Sequence, residues 1–265
     1  MQALDALPPS VFAGAAVTAV GLALVLVAEH AERPRAAAPR PSYAPRLAWL
    51  NPVFKPVASA GFLIAGFGHP AAFESAQNVA ILVALTLGAL GDVLLIPGRR
   101  PPPAAADDAA PPPPGVAFFH ALGGTFRLGV LSFLASHLGY IVAFALAGLD
   151  PFATGIAAVP VAVIAVAVWR YLARHVPPHL KGSVGAYVAV ISAMVAASFG
   201  AGAAATTTTG PDWLPPAAAL VFYASDLTVA RQRFVVRRVW HRHVGLPLYY
   251  LAQLLFVALM GAPPR

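Results

Sequence analysis

The chain has 265 residues, of which 59% are hydrophobic and 10% are charged, whereas charged residues make up about 25% of a typical soluble domain. Its mean hydropathy of +0.74 is typical of an integral membrane protein. The sequence contains no cysteine, which excludes disulfides and thiolate chemistry. A net charge of +7 in a membrane chain more often reflects cytoplasmic loops rich in Arg than a nucleic-acid partner, and we expect no nucleic acid here.

Eight apolar runs are long enough to cross about 30 Å of hydrocarbon. They predict an all-α polytopic protein with one membrane domain over residues 1–265. The runs lie near residues 10–28, 52–67, 76–97, 126–148, 152–171, 183–203, 213–231 and 244–261. Residues 98–117 are rich in Pro and Ala and predict a disordered or polyproline loop. No basic segment precedes the first run, so we interpret it as a span and not as a cleaved signal peptide.

Basic residues fall almost entirely on one side of this layout. Of the 17 Lys and Arg residues, all but Arg265 lie near the connections after spans one, three, five and seven. The opposite connections carry acidic residues, namely Asp5, Glu74, Asp150 and Asp212. The positive-inside rule then predicts that both termini are outside and that the Arg-rich loops are cytoplasmic. The preference for Arg over Lys and the many Ala and Pro residues fit a GC-rich bacterial genome, so we expect a bacterial cytoplasmic membrane.

The two halves of the chain show a weak internal repeat. The segment "PVFKPVASAGFLI" at 52–64 resembles "PHLKGSVGAYVAV" at 178–190, with Lys55 opposite Lys181. "LGDVLL" in span three parallels "ASDLTV" in span seven, and "FLASHLGY" in span four parallels "YYLAQLLF" in span eight. These matches indicate a four-plus-four duplication with parallel halves, although helices rich in Ala and Leu also resemble one another by chance.

Two carboxylates, Asp92 and Asp226, lie well inside spans. An ionised Asp at the bilayer centre costs roughly 2.5–3.5 kcal/mol on insertion scales, so such residues face a protein interior or a wet cavity. At 1.5 Å per residue, each lies about 7 Å from the cytoplasmic end of its span. Tyr249 and Tyr250 lie at a similar depth in span eight. Either Asp alone could be a structural anchor between helices, but two at matching depth favour a functional pair.

Other polar residues share helix faces with this layer. Tyr223 lies three residues before Asp226, and Gln253 lies four residues after Tyr249. The tyrosines of span eight could also belong to the interfacial aromatic belt.

His137 and Tyr140 share a face near the middle of span four, where His137 could be a packing group. Ser225 beside the second Asp suggests a nucleophile, but no His base is near it in the sequence, and small polar residues are common at helix contacts. The sequence shows no three-ligand metal pattern and no phosphate-binding Gly loop, so we predict neither a metal nor a cofactor.

Four motifs occur in order along the chain: "LGDVLLI" at 90–96, "FRLGVLSFLASHLGYI" at 126–141, "FYASDLTVARQRF" at 222–234 and "YYLAQLLF" at 249–256. Together they resemble the YhhN-type membrane proteins, the lysoplasmalogenase family. Lys55 in "FKP" and Tyr187 in span six also fit that family's pattern. The resemblance covers nearly the whole chain, and the Pro/Ala-rich insert departs from the usual short loop.

The resemblance implies a multi-span hydrolase that cleaves the vinyl ether of lysoplasmalogen to a fatty aldehyde and a glycerophospho-base. The expected partners are then a lysophospholipid and membrane lipids; the oligomeric state is not predicted. A vinyl ether opens when its β-carbon is protonated, which forms an oxocarbenium ion. Two carboxylates in unlike roles suit such a cation, as in glycoside hydrolysis. Asp92 and Asp226 are therefore the predicted acid and base, in either order, and if close together they would share one proton.

The remaining site candidates surround these carboxylates. Tyr249, Tyr250 and Gln253 are expected to position water and substrate. Lys55 and Arg233 are candidates for the phosphate, and His137 for lining the tail channel or orienting an Asp. The other residues expected near the substrate are Tyr140, Tyr187, Tyr223 and Ser225.

A proton-coupled transporter is the competing interpretation, because intramembrane carboxylates and a possible repeat also describe transporters. The polar layer lies toward the cytoplasm, and the outer halves of spans three and seven are nearly apolar. That asymmetry favours a pocket open to one side, as an enzyme needs.

Because the chain lacks cysteine, single-cysteine labelling tests the topology without background. We expect Ala105→Cys and Arg237→Cys to react only from the cytoplasm, and Asp150→Cys and Asp212→Cys only from outside. Labelling of positions 105 and 150 from the same face would contradict the eight-span layout.

Overall fold

The described part of the chain is entirely helical. A computed structural model describes residues 8–31, 51–96, 123–204, 211–236 and 239–260. These residues form eight α-helices and no strand, which confirms the all-α prediction. The helices are α1 Pro9–Ala31, α2 Asn51–Phe67, α3 Ala76–Leu94, α4 Gly123–Ala147, α5 Pro151–Leu172, α6 Lys181–Ala204, α7 Leu214–Phe234 and α8 Val239–Ala258. The predicted loop at 98–117 lies outside the described residues.

Helix starts follow from local sequence. Ser75 is the N-cap of α3, and its hydroxyl accepts a hydrogen bond from the Asn78 backbone N–H. Asp150 caps α5 in the same way by accepting from the Ala153 N–H at 2.6 Å, and Pro151 occupies the first helical position. Such caps satisfy backbone donors that the first helical turn leaves without partners. Three residues join α4 to α5, and eight residues join α2 to α3.

Five helices are long and apolar enough to cross a membrane. These segments are Pro9–Ala28, Ala76–Leu94, Arg127–Ala147, Pro151–Leu172 and Lys181–Ala204, and two shorter apolar helices cover Val53–Phe67 and His243–Ala258. Helix α7 is not among the five, and it carries Asp226, Arg231 and Arg233. The apolar helices indicate an integral membrane protein, and the count of eight spans stays a prediction.

Consecutive helices pack in pairs: α1 on α2, α3 on α4, α5 on α6, and α7 on α8. Helices α4 and α6 join the two halves, and α8 packs on both α1 and α2. The α1–α2 contact depends on small residues, because a Cβ on Gly21 would lie 2.6 Å from the Ala58 backbone nitrogen. Small residues of this kind allow helix backbones to approach closely in a membrane.

Helix α5 lies at the periphery of the bundle. Only Ala157 and Leu172 of its residues are buried, while Phe152, Val159 and Val163 are 78%, 67% and 65% exposed. A surface this apolar is a liability in water, whereas lipid tails solvate it. The outer face of α5 therefore suits contact with the bilayer.

Lys55 lies inside α2 and is buried, although its position was counted above with the cytoplasmic loop between the first two spans. The carboxylate of Asp92 in α3 pairs with it there, so the charge of Lys55 lies in the protein interior. The charge asymmetry of the loops rests on the Arg residues.

Candidate active site

Asp92 lies near the end of α3 in a buried ion pair with α2. The Lys55 Nζ is 2.5 Å from its Oδ1, and the Ser59 hydroxyl donates to its Oδ2 at 2.7 Å. Lys55 and Ser59 are four residues apart, so they project from one face of α2. The side chains of Lys55 and Asp92 are only 5% and 2% exposed. Charges this deeply buried are tolerated when they are paired and hydrogen-bonded, as here.

Helix α8 brings a second set of polar groups toward Asp92. The Tyr250 hydroxyl donates to the Lys55 carbonyl at 3.3 Å. Tyr249 lies within electrostatic range of the Asp92 carboxylate. The Tyr249 hydroxyl and the Gln253 amide nitrogen are buried, and the described residues give neither a hydrogen bond of good geometry.

Gly88, one turn before Asp92, lets side chains of α8 come close to the backbone of α3, because it has no side chain of its own. A Cβ at position 88 would lie 2.9 Å from the Gln253 Nε2 and 3.2 Å from the Tyr249 hydroxyl. The glycine therefore admits the two side chains of α8 against the backbone of α3.

Asp226 of α7 has a different set of partners. The Tyr187 hydroxyl of α6 donates to its Oδ2 at 2.7 Å, and the His137 Nε2 of α4 lies 3.3 Å from the same oxygen. His137 is fully buried, and its Nδ1 lies 2.6 Å from the Phe133 carbonyl. The Asp226 side chain is 16% exposed, much more than that of Asp92. The contacts of Asp226 within the described residues include no Lys or Arg, and its Oδ1 has no partner there.

Aromatic rings lie between the two carboxylate clusters. The Phe222 ring is 4.5 Å from the His137 ring and 5.6 Å from the Tyr249 ring, measured between centroids. Phe133 also contacts Tyr249, with ring centroids 5.7 Å apart. The hydrogen bonds and ion pairs of Asp92 and Asp226 in the described residues do not join the two carboxylates to each other. The expectation of a directly shared proton therefore finds no support in this geometry.

Tyr140 links the clusters from the core side. Its hydroxyl donates to the Gln253 Oε1 through a short hydrogen bond, and its ring stacks on Phe256 with an interplanar angle of 13°. The predicted residues Tyr140 and Gln253 are thus brought together.

The remaining predicted residues are placed less centrally. The Ser225 hydroxyl donates to the Gly245 carbonyl at 2.9 Å and thereby joins α7 to α8, which is a packing contact. The Tyr223 hydroxyl is buried without a hydrogen-bond partner in the described residues. Arg233 lies seven residues beyond Asp226 in the last turn of α7, about 10 Å along the helix axis.

Sequence reasoning missed Ser59 and the ring contacts of Phe133 and Phe222. Ser59 could have been found from its spacing, because it lies one turn after Lys55. The aromatic residues carry no such signal, since their positions between the clusters depend on how three helices, α4, α7 and α8, pack.

The Lys55–Asp92 ion pair should contribute measurably to the stability of the folded protein. Lys55→Met should lower the free energy of unfolding by about 3–5 kcal/mol, because it leaves a buried carboxylate without its cation. Adding Asp92→Asn should recover most of that loss by removing the charge. Thermal unfolding of the purified protein in detergent measures both effects.

Lys181→Met is the matched control, since Lys181 is an exposed Lys at the start of α6. We expect it to change stability little. A Lys55→Met variant as stable as the wild type would show that the ion pair does not hold α2 against α3.

Comparison with known proteins supports the resemblance seen in the sequence. A family model described as the YhhN family matches residues 50–260, which is well over half of the chain. The match begins at α2 and includes all the site residues described above, whereas α1 lies outside it. A search of curated proteins found no match, and neither did a search of solved structures. The chain therefore belongs to the YhhN family.

Proposed function

We propose that the protein is a lysoplasmalogenase-like membrane hydrolase, which cleaves the sn-1 vinyl ether of a lysoplasmalogen to a fatty aldehyde and a glycerophospho-base. The YhhN family is associated with hydrolase activity. The observation that carries the proposal is the pair of intramembrane carboxylates with unlike partners: Asp92 with a Lys, and Asp226 with a His and a Tyr.

The reaction needs one carboxyl that holds a proton and one that is ionised. Asp92 suits the ionised role, because the ammonium of Lys55 and the hydroxyl of Ser59 both stabilise its anion. Asp226 suits the proton donor, because its contacts within the described residues include no Lys or Arg that would stabilise its anion, and its 16% exposure lets water return the proton. We therefore propose this order for the two roles, which the sequence leaves open. Carboxyl pairs in which the environment separates the two roles are a recurrent pattern in acid–base enzymes.

The proposed reaction begins with protonation of the vinyl ether. The O–H bond of Asp226 breaks as a C–H bond forms at the β-carbon, which leaves a carboxylate and an oxocarbenium ion. Water then bonds to the cationic carbon and gives a proton to Asp92. The hemiacetal collapses to the aldehyde and the alcohol as its hydroxyl proton passes to the glycerol oxygen. Exchange with solvent returns the proton of Asp92 and reloads Asp226.

In this proposal the vinyl ether lies against the aromatic rings that separate the two carboxylates. The buried Tyr249 hydroxyl and Gln253 amide bind the attacking water or the ether oxygen, while Tyr140 holds the Gln253 amide in place. Arg233 is suited to the phosphate, because its distance of about 10 Å along α7 from Asp226 is comparable to the length of the glycerol unit and linkage of a lysolipid. Lys55 is engaged with Asp92, which favours the Arg for this role.

The proposed architecture is eight spans in two parallel halves of four, with both termini outside a bacterial cytoplasmic membrane. Helix pairing supports the repeat, because α1–α2 and α3–α4 in the first half correspond to α5–α6 and α7–α8 in the second. Two pairs of residues at equivalent positions in the sequence repeat also contact each other, Phe133 with Tyr249 and Tyr140 with Phe256. Such contacts are expected beside an axis that relates two halves.

Removing either acid should abolish turnover. Asp92→Asn and Asp226→Asn should each lower kcat by about 10³-fold. Size-exclusion chromatography selects the folded fraction of each variant for the assay, because Asp92→Asn leaves the buried Lys55 ammonium without its partner. Mass spectrometry of purified protein incubated with lysoplasmalogen measures the aldehyde. Asp212→Asn, at an exposed position outside the helices, is the control and should be fully active.

Two further outcomes discriminate between mechanisms. A chelator should leave the wild-type rate unchanged, and inhibition that zinc reverses would argue against carboxyl catalysis. If a detergent-solubilised sample releases no product from any lysolipid, that result would contradict the hydrolase proposal and favour the transporter interpretation.

The origin of the new C–H bond gives a sharper test. In D2O the released aldehyde should carry one deuterium at its carbon 2, with one stereochemistry, because a carboxyl that exchanges with water delivers it to one face of the alkene. Ester hydrolysis places no solvent hydrogen on carbon. The aldehyde must be reduced to the alcohol as it forms, with authentic aldehyde as control for enolisation. A product with no label above that control would rule out protonation at carbon.

A further inference from the structure

The connection between α2 and α3 contains a histidine whose ring accepts a hydrogen bond from the backbone. The N–H of Ala71 donates to the Nδ1 of His69 at 3.2 Å. An imidazole nitrogen accepts through its lone pair, so the Nδ1 carries no hydrogen while this contact exists. The contact therefore requires a neutral His69 ring with its hydrogen on the Nε2.

His175 makes the opposite kind of contact with the backbone. Its Nδ1 lies 3.0 Å from the carbonyl oxygen of Tyr171, and a carbonyl oxygen can only accept. The His175 Nδ1 therefore donates, and it keeps this hydrogen bond when the ring gains a second proton. Of these two histidines, His69 is the one that loses its backbone contact on protonation.

The backbone of Ala71 is buried and fully hydrogen-bonded. Ala71 is 5% exposed. Its carbonyl accepts from the Asn78 side-chain nitrogen at 2.6 Å and from the Glu74 N–H at 3.1 Å, while its N–H donates to His69. A protonated His69 ring would present an N–H to the Ala71 N–H, and a buried donor without an acceptor is costly. The connection therefore cannot keep this geometry around an imidazolium.

Two effects act on the pKa of His69, which lies in the connection outside the helices. Partial burial lowers this pKa below its ordinary value of 6.5, and the negative charge of Glu74 acts in the opposite direction with a smaller effect. Helix α1 reaches the connection through Ser10, which donates to the Gly68 carbonyl, and α8 reaches it near Gly66. The neighbouring helix segments carry no other titratable side chain, namely residues 8–28, 56–67, 76–91 and 251–260.

We infer that His69 makes the α2–α3 connection acid-sensitive, because protonation of its ring releases the Ala71 N–H and opens the connection. The contact is complete above about pH 6.5, where the ring is neutral in the folded and the unfolded chain. It is lost as the pH falls through the lower pKa of the folded protein. In the predicted topology this connection faces outside, so the relevant acidity is that of the external solution.

The opening is confined to one end of the two helices. Lys55 lies 12 residues before the end of α2, about 18 Å along the helix axis. Its ion pair with Asp92 therefore still holds α2 against α3 when the connection opens.

Hydrogen exchange at the Ala71 amide tests this inference on the full chain in detergent, without substrate. Residue-resolved mass spectrometry gives the exchange rate, and an unstructured peptide of the same sequence at the same pH corrects for the intrinsic pH dependence. Between about pH 8 and about pH 5, the protection of the Ala71 amide in the wild type should fall about 10-fold or more, because its acceptor is lost. Unchanged protection would overturn the inference.

Two variants assign the effect to His69. His69→Asn keeps a side-chain oxygen that accepts from the backbone two residues on and that does not titrate, so the protection of Ala71 should stay high at both pH values. His175→Asn is the matched control and should show the wild-type loss. An equal loss of protection in His69→Asn would overturn the inference. If that variant does not fold, the wild type decides alone, because a midpoint of the loss above about pH 6.5 contradicts the lowered pKa of His69.

Discussion

The buried ion pair between Lys55 and Asp92 is the constraint on which the site depends. A carboxylate and an ammonium inside an apolar bundle are stable only while they face each other. The pair therefore fixes the rotation of α2 against α3, and it orients the face of α2 that also carries Ser59. Tyr250 donates to the backbone carbonyl of the same Lys, so α8 takes its position from this pair as well.

The second carboxylate shows what a different environment does to the same side chain. In the proposed repeat Asp226 corresponds to Asp92, yet it contacts an imidazole and a phenol in place of an ammonium and a hydroxyl. In the proposed mechanism one aspartate acts as the anion and the other as the proton donor, and their unlike partners suit these two roles.

Much of this arrangement could be predicted from the sequence. The helical class follows from the length of the apolar runs. Asp92 and Asp226 stand out because a charge inside an apolar span is energetically costly. The partners of each Asp could not be assigned, since they come from three other helices whose rotation depends on packing. Lys55 illustrates the difficulty: in the sequence it is close to an Arg-rich loop, and only the contact with Asp92 shows that it belongs inside. The matching depth of the two acids did not decide whether they lie close enough to share a proton, because depth fixes only one of three coordinates.

Gly88 links these clusters in a way that bears on how the sequence can vary. The space where its side chain would be is taken by the Gln253 amide and the Tyr249 hydroxyl, and Gln253 in turn holds Tyr140. A larger residue at 88 would displace the amide and thereby loosen α4 as well as α8. Positions 88, 249 and 253 should therefore covary among related chains: where 88 is not glycine, we expect a shorter side chain at 253 or the loss of the hydroxyl at 249.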